Sequence, residues 1–201
     1  LPKDTFYNLI EEKQKKIFSA AVEEFSTKRY SEASINQIIK NAGIPRGSFY
    51  QYFENKEDLY LYVLTEIGKE KMNVAKNSKQ LKPDADFFDT YLHMLEMILT
   101  WAEDNPKYYQ IGALMDMDDS DFITNLRENF PDGFQLLKDQ IEIDKKRGLI
   151  KPDVDANAVI DLIYALNLSF VKEFYKTRSA ENLLKKTMDF LKIIKGGISS
   201  V

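Results

Sequence analysis

Apolar residues recur three and four positions apart along nearly the whole chain, the spacing that lines one face of a helix. They do not alternate with polar residues as in a half-buried strand, and no stretch of sequence repeats another. Leu9, Ile10, Ile17, Ala20, Ala21 and Phe25 form a stripe within residues 4–28, strongest from Ile17 onward, and predict one long helix there. Residues 55–77 predict another, with Leu59, Tyr62, Val63, Ile67 and Met72 on its apolar face. Asn55 is its N-cap, and Asp58 stands at the reciprocal capping-box position. Residues 79–84, polar and containing Pro83, break the pattern. Residues 84–103 are apolar around most of the circumference, which predicts a central, buried helix. Asn105-Pro106, Pro131-Asp132-Gly133, Arg147-Gly148 and Lys151-Pro152-Asp153 then punctuate helices over 106–117, 120–129, 134–146, 156–176 and 180–195. Ser120, Asp155 and Ser179 stand as caps. The fold class is all-α.

The most informative stretch is residues 34–53, SINQIIKNAGIPRGSFYQYF. Ser34 is suited to cap a helix by accepting from an unpaired backbone N–H. Ile35, Ile38, Ile39 and Ala42 share one face, and Gly43 follows where a left-handed residue ends the helix. Ile44 plugs the turn, and Pro45 opens a second helix, where its missing N–H costs nothing. On that helix Phe49 and Phe53 face inward, leaving Arg46, Gly47, Ser48, Tyr50, Gln51 and Tyr52 to face outward. Two short helices with such a turn predict a helix-turn-helix, whose second helix enters the DNA major groove.

The run A-G-I-P-R-G-S-F-Y-Q-Y-F followed by E-N-K-E-D-L resembles the TetR family of bacterial transcription regulators. That family's usual pattern is Ala-Gly-Val, a polar residue, Lys/Arg-Gly-Ser/Thr, an apolar residue, Tyr, two variable residues, Phe, then Lys-Glu-Asp/Glu-Leu. The likeness covers residues 18–59, about a quarter of the chain. It departs at Pro45, where a Ser is common, and at Ile39, where an Ala is common. The resemblance implies a helix-turn-helix DNA-binding domain over residues 1–54 and a helical ligand-binding and dimerisation domain over 55–201, with 55–77 as the connecting helix. It implies DNA-binding roles for Ser34, Arg46, Gly47, Ser48, Tyr50, Gln51, Tyr52 and Lys56. Gln51 and Tyr52 occupy the variable positions suited to sequence choice, with partial packing on the small domain as the alternative for Tyr50 and Tyr52. Lys56 and the first backbone N–H groups of its helix can share a phosphate, in which case Lys56→Ala would lower the salt slope of binding by about one unit. It also implies a homodimer whose last two helices, about 156–176 and 180–195, form a four-helix bundle. A two-fold dimer suits a palindromic operator.

Charge permits this reading without demanding it. The chain is −4 overall. Residues 1–60 hold nine basic and nine acidic side chains, whereas Lys40, Arg46 and Lys56 against Glu54 leave residues 34–56 at +2. Phosphate binding depends on that local face. Lys13, Lys15 and Lys16 are either a second phosphate-facing group or a solvated face. With no cysteine, disulfides, thiol catalysis and Cys-based zinc sites are excluded. No apolar run is long enough to span a membrane and no signal peptide is recognisable, so a cytoplasmic protein is expected. The sequence opens at Leu1 rather than Met, which implies preceding residues.

The aromatic and Met content from Tyr91 onward is either core or the lining of a pocket for a largely apolar inducer, with Tyr91, Met94, Trp101, Tyr109, Phe130, Phe134 and Tyr164 as candidates. His93 is the only histidine and reads as packed and hydrogen-bonded, with ligand contact as the alternative. The run DMDDSD at 116–121 lacks the Gly and Glu of a calcium loop, Arg127 standing at the Glu position, and reads as a solvated capping loop. No cofactor or metal is implied. The function expected is a ligand-responsive DNA-binding regulator, in this family most often a repressor. The alternatives are a helical interaction module with a structural helix-turn-helix, or an enzyme on a helical scaffold, for which no paired carboxylates stand at a suitable spacing.

Overall fold

The computed structural model describes residues 1–77, 81–129, 134–177 and 180–200, and of residues 74–77, 170–177 and 180–184 the backbone alone. The helices are α1 (Asp4–Tyr7), α2 (Glu11–Thr27), α3 (Ile35–Ala42), α4 (Arg46–Tyr52), α5 (Lys56–Asn77), α6 (Phe87–Asp104), α7 (Pro106–Asp116), α8 (Asp121–Asn129), α9 (Gln135–Lys146), α10 (Ala156–Thr177) and α11 (Ala180–Ile198), with a 3-10 turn at Tyr30–Glu32. The fold is all-α. An isolated bridge between Ile150 and Ser199 is its one β-type pairing among the described residues.

The single helix expected over 4–28 is two. α1 ends at Asn8, and α2 starts after Ile10, which is extended in backbone and 72% exposed. Gln14 Nε2 donates to the carbonyls of Leu9 (2.8 Å) and Tyr7 (3.3 Å), which the break leaves without helical partners. Pro131-Asp132-Gly133 and the Ser179 cap lie outside the described residues. The 84–103 helix forms as α6 but is not buried all round. Phe87, Phe88 and Tyr91 lie in one core and Trp101 in another, while residues 92–95 are half-buried and Ile98 is 43% exposed.

Two compact units divide the chain. The first holds residues Leu1–Asn77 and Trp101–Asn129, the second Ser78–Thr100 and Phe130–Val201. In the first, Ile17, Ala21 and Phe25 of α2 meet Ile38, Phe49, Phe53, Leu59, Tyr60 and Val63, all buried. Phe6 of α1 joins them, its ring 5.1 Å from both Phe53 and Tyr62. Trp101, Ile111 and Ile123 complete that core, so α7 and α8 are built into the same unit as the helix-turn-helix. In the second, Phe87, Leu137, Ile141, Val159, Ile163 and Leu191 form the core. There Asp144, fully buried, accepts from the Phe87 N–H (2.6 Å) at the start of α6 and from Arg147 Nη1 (2.9 Å). The α9 helix ends at Gly148, whose φ of +73° is left-handed. The Asp155 cap is present, accepting from the Asn157 N–H at 2.8 Å.

Candidate nucleic-acid interface

The turn between α3 and α4 is assembled from local chemistry. Ser34 Oγ accepts from the Gln37 N–H at 3.4 Å and starts α3. Gly43, at φ +65°, ends it, with the Gly43 and Ile44 N–H groups donating back to Lys40 and Ile39. Ile44 is buried, and the Ser48 N–H donates to the Pro45 carbonyl at 3.0 Å to begin α4. Phe49 and Phe53 are fully buried. Arg46, Gly47, Tyr50 and Gln51 are exposed, Ser34 and Ser48 are half-buried, and Lys40 and Asn41 at the end of α3 are exposed.

Tyr52 does not face outward as expected. It is 6% exposed, its ring edge-on to Phe6 and its hydroxyl accepting from Lys13 Nζ at 3.2 Å. The reason is helical period: Phe49, Tyr52 and Phe53 stand at i, i+3 and i+4 and share the buried face. Lys13 is thereby tied to the protein, and Lys15 and Lys16 pair with Glu11 (2.5 Å) and Glu12 (2.8 Å) one turn earlier. These contacts favour the solvated-face alternative for Lys15 and Lys16.

Lys56 has a different occupation from the phosphate role expected of it. Its Nζ donates to the carbonyls of Tyr30 (2.7 Å) and Ala33 (3.0 Å) and lies 4.4 Å from the Tyr30 ring centre. Burial lowers its pKa, against the opposing charges of Asp118 and Glu24. The Asn55 cap of α5 is present, its Oδ1 accepting from the Asp58 N–H (2.9 Å), while the Asp58 carboxylate accepts from the Glu54 N–H (3.1 Å), one residue before the position a reciprocal capping box uses.

Two carboxylates that sequence reasoning missed hold the segment entering α3. Glu24, 4% exposed on the buried face of α2, accepts from the Ser34 N–H at 2.9 Å and from Lys28 Nζ at 2.9 Å. Its signal was a carboxylate four residues after Ala20 on an apolar stripe. Asp118, 1% exposed, accepts from the N–H groups of Ser31 (2.7 Å) and Ser120 (2.9 Å). Burial alone would raise its pKa, but these bonds together hold it below the usual value. The 116–121 run is therefore not simply a solvated loop. Arg127 donates to the carbonyls of Met115, Asp116 and Asp118, closing the end of α7. Tyr30, ringed by Tyr60 (5.0 Å) and Phe122 (4.5 Å), has its pKa raised by burial to about 12.

The expected ligand residues separate into two groups. Tyr91, Met94, Phe134 and Tyr164 belong to the second unit, where the Tyr91 hydroxyl pairs with Asn167 (2.8 Å) and Phe134 meets Tyr164 edge-on at 6.0 Å. Trp101 and Tyr109 belong to the first. Trp101 stacks on Tyr108 beneath Lys71 Nζ, and its buried indole N–H meets no acceptor among the described residues. Phe130 lies outside the described residues, and His93 is half-buried. Two open clefts, of about 530 and 350 Å³, flank α2 in the first unit, and neither is lined by any of these seven residues.

Comparison with known proteins agrees with this geometry. The family described as bacterial regulatory proteins, tetR family, matches residues 17–63. The HTH-type transcriptional regulator YdgC of Bacillus subtilis is 22% identical over 83% of each chain. Among solved structures, a TetR family transcriptional regulator from Chloroflexus aurantiacus superimposes with a TM-score of 0.74 at 24% identity, over 99% of both chains. The transcriptional regulator FadR of Bacillus subtilis, in complex with stearoyl-CoA, superimposes with a TM-score of 0.71 at 18% identity, over 92% of this chain and 98% of that one. The segment from Ile17 to Val63 thus matches the helix-turn-helix of the tetR family of bacterial regulatory proteins, and along nearly its whole length the chain shares the fold of TetR family transcriptional regulators.

Proposed function

We propose that the protein is a repressor released from a palindromic operator by a small, largely apolar inducer, working as a homodimer in the cytoplasm. Residues 1–54 read DNA, and 55–201 bind the inducer and the second subunit. On α4, Arg46 and Gln51 offer base-reading groups, while Gly47 admits the backbone close to DNA and the hydroxyls of Ser48 and Tyr50 suit phosphate. Ser34 contributes by starting α3. The inducer contacts Tyr91, Met94, Phe134 and Tyr164, with Trp101, Tyr109 and Phe130 as the remaining candidates. FadR with its stearoyl-CoA is a precedent in this fold for a ligand with a long apolar part. Exposed Leu162, Met188 and Ile193 on α10 and α11 support a subunit contact there.

The observation that carries the mechanism is the tie between α7–α8 and the 3-10 turn before α3, through Asp118, Phe122 and Tyr30. A shift of α7–α8 on inducer binding would be delivered to the helix-turn-helix by that tie and by α5. Two recognition helices must sit about 34–36 Å apart to engage successive major grooves, and the shift spoils that spacing. An inducer acts only through its different affinity for the two states.

The test is selection of duplexes from a randomised library at two salt concentrations, followed by titration of the recovered duplex complex with stearoyl-CoA. A palindrome whose affinity falls steeply with salt, and release by the acyl ligand, are expected. A selected site without two-fold symmetry overturns the dimeric reading. A ligand that binds the protein and leaves DNA affinity unchanged overturns the inducer reading for that ligand.

A further inference from the structure

α4 has only seven residues, too short to hold its axis without tertiary support. Its last carbonyls point away from any following helical turn, and each needs an outside donor. The segment before α2 supplies them. The Lys3 N–H donates to the Tyr52 carbonyl at 2.8 Å, Lys3 Nζ to the Tyr50 carbonyl at 3.0 Å, and the Thr5 hydroxyl to the Gln51 carbonyl. Three successive carbonyls at one end of the recognition helix are thus capped by two residues some forty-six positions earlier.

The cap is anchored. Phe6, one residue on, is fully buried, its ring centre 6.3 Å from Tyr52, 5.1 Å from Phe53 and 5.1 Å from Tyr62. It joins the end of α4 to α5. The break after α1 is stabilised by Gln14, so the turn back into α2 is also a built feature. The Lys3 ammonium sits at the negative end of the α4 dipole, where a cation is favoured.

We infer that the α1 segment is a positioning element for the recognition helix, with Lys3 and Thr5 setting the axis of α4 and thereby the sequence specificity of DNA binding. Two of the three capped carbonyls belong to Tyr50 and Gln51, whose side chains are exposed on the DNA-facing side. A small rotation of α4 moves those side chains relative to base edges, while phosphate contacts made by other elements tolerate it. Neither Lys3 nor Thr5 needs to touch DNA for this.

The experiment uses the full chain and the duplex that the wild-type protein selects from a randomised library, with an unrelated duplex of equal length as the non-specific probe. Thr5→Val removes the hydroxyl donor and keeps the shape. Expected is at least a fivefold loss of affinity for the selected duplex, with affinity for the unrelated duplex and the salt slope unchanged, and recovery in Thr5→Ser. Lys3→Met is expected to behave as Thr5→Val does. Equal losses on both duplexes together with a lowered Tm would show a merely structural role and overturn the proposal. So would an unchanged Thr5→Val protein. A salt slope lowered by about one unit in Lys3→Met would show a phosphate contact instead of a cap. A wild-type protein that selects no duplex would overturn the DNA reading itself and this proposal with it, which separates the two failures.

Discussion

Asp118 holds one distant N–H group, that of Ser31, and one local one, that of Ser120, with one buried carboxylate. Asn at this position keeps one acceptor but turns an NH2 donor toward an N–H, leaving a buried donor unpaired. Asp118→Asn is therefore expected to cost about 1–3 kcal/mol of stability at pH 7, read by urea denaturation. The sign of its pH dependence follows from the lowered pKa. The carboxylate stabilises the fold fully above its unfolded pKa of about 3.9, and this contribution disappears as pH falls through the lower folded value. The acid limb below about pH 4 should be shallower in Asp118→Asn than in the wild type; an identical limb would show that Asp118 is not held this way. No pattern in the run DMDDSD singles out Asp118 from its neighbours, since only Ser31, 87 residues away, distinguishes it.

At the scale of elements, the helix-turn-helix was legible because everything that makes it is local. The Ser34 cap, the left-handed Gly43 and the inward Phe49 and Phe53 all act within one or two turns of chain. The outward face of α4 was legible except at Tyr52, where Phe6 and Lys13 on earlier elements reward the inward orientation. The start of α5 shows the same limit. A lysine at a helix N-terminus following a DNA-reading helix suggests phosphate, yet Lys56 clamps the 3-10 turn through two carbonyls. Lys56→Ala is accordingly expected to lose about 1–2 kcal/mol of stability with its salt slope for DNA unchanged. A slope lowered by about one unit with full stability would restore the phosphate role.

At the scale of the whole molecule, the proposed repressor acts as two copies in register. Leu162 on α10 and Ile193 on α11 are large, apolar and 50% and 73% exposed. Such residues mark a contact when they gather on packed helices. Leu162→Glu combined with Ile193→Glu is expected to convert a dimer to a monomer, measured by light scattering after gel filtration, and to weaken binding to a palindromic duplex more than tenfold. A variant that stays dimeric would move the subunit contact elsewhere. α6 carries a related lesson. Its apolar circumference suggested one buried rod, but its ends belong to different cores, and its middle is only half-buried, with Leu92, Met94 and Leu95 packed against the core of the second unit. Hydrophobicity reports that a surface can be buried, not which unit buries it.

The sequence by itself determined the all-helical class, the succession of helices and most of their ends, and the helix-turn-helix with its exposed Arg46, Tyr50 and Gln51. These follow from periodicity, capping and glycine conformation, which act over a few residues. Only the tertiary structure decided the break between α1 and α2, the burial of Phe6 and Tyr52, and the carboxylate ties of Glu24 and Asp118. It also decided the capping of α4 by Lys3 and Thr5. Apart from that break, which Gln14 stabilises from five and seven residues away, each depends on a partner ten to almost ninety residues away, and a polar side chain shows its use only when the donor or acceptor it meets is in place.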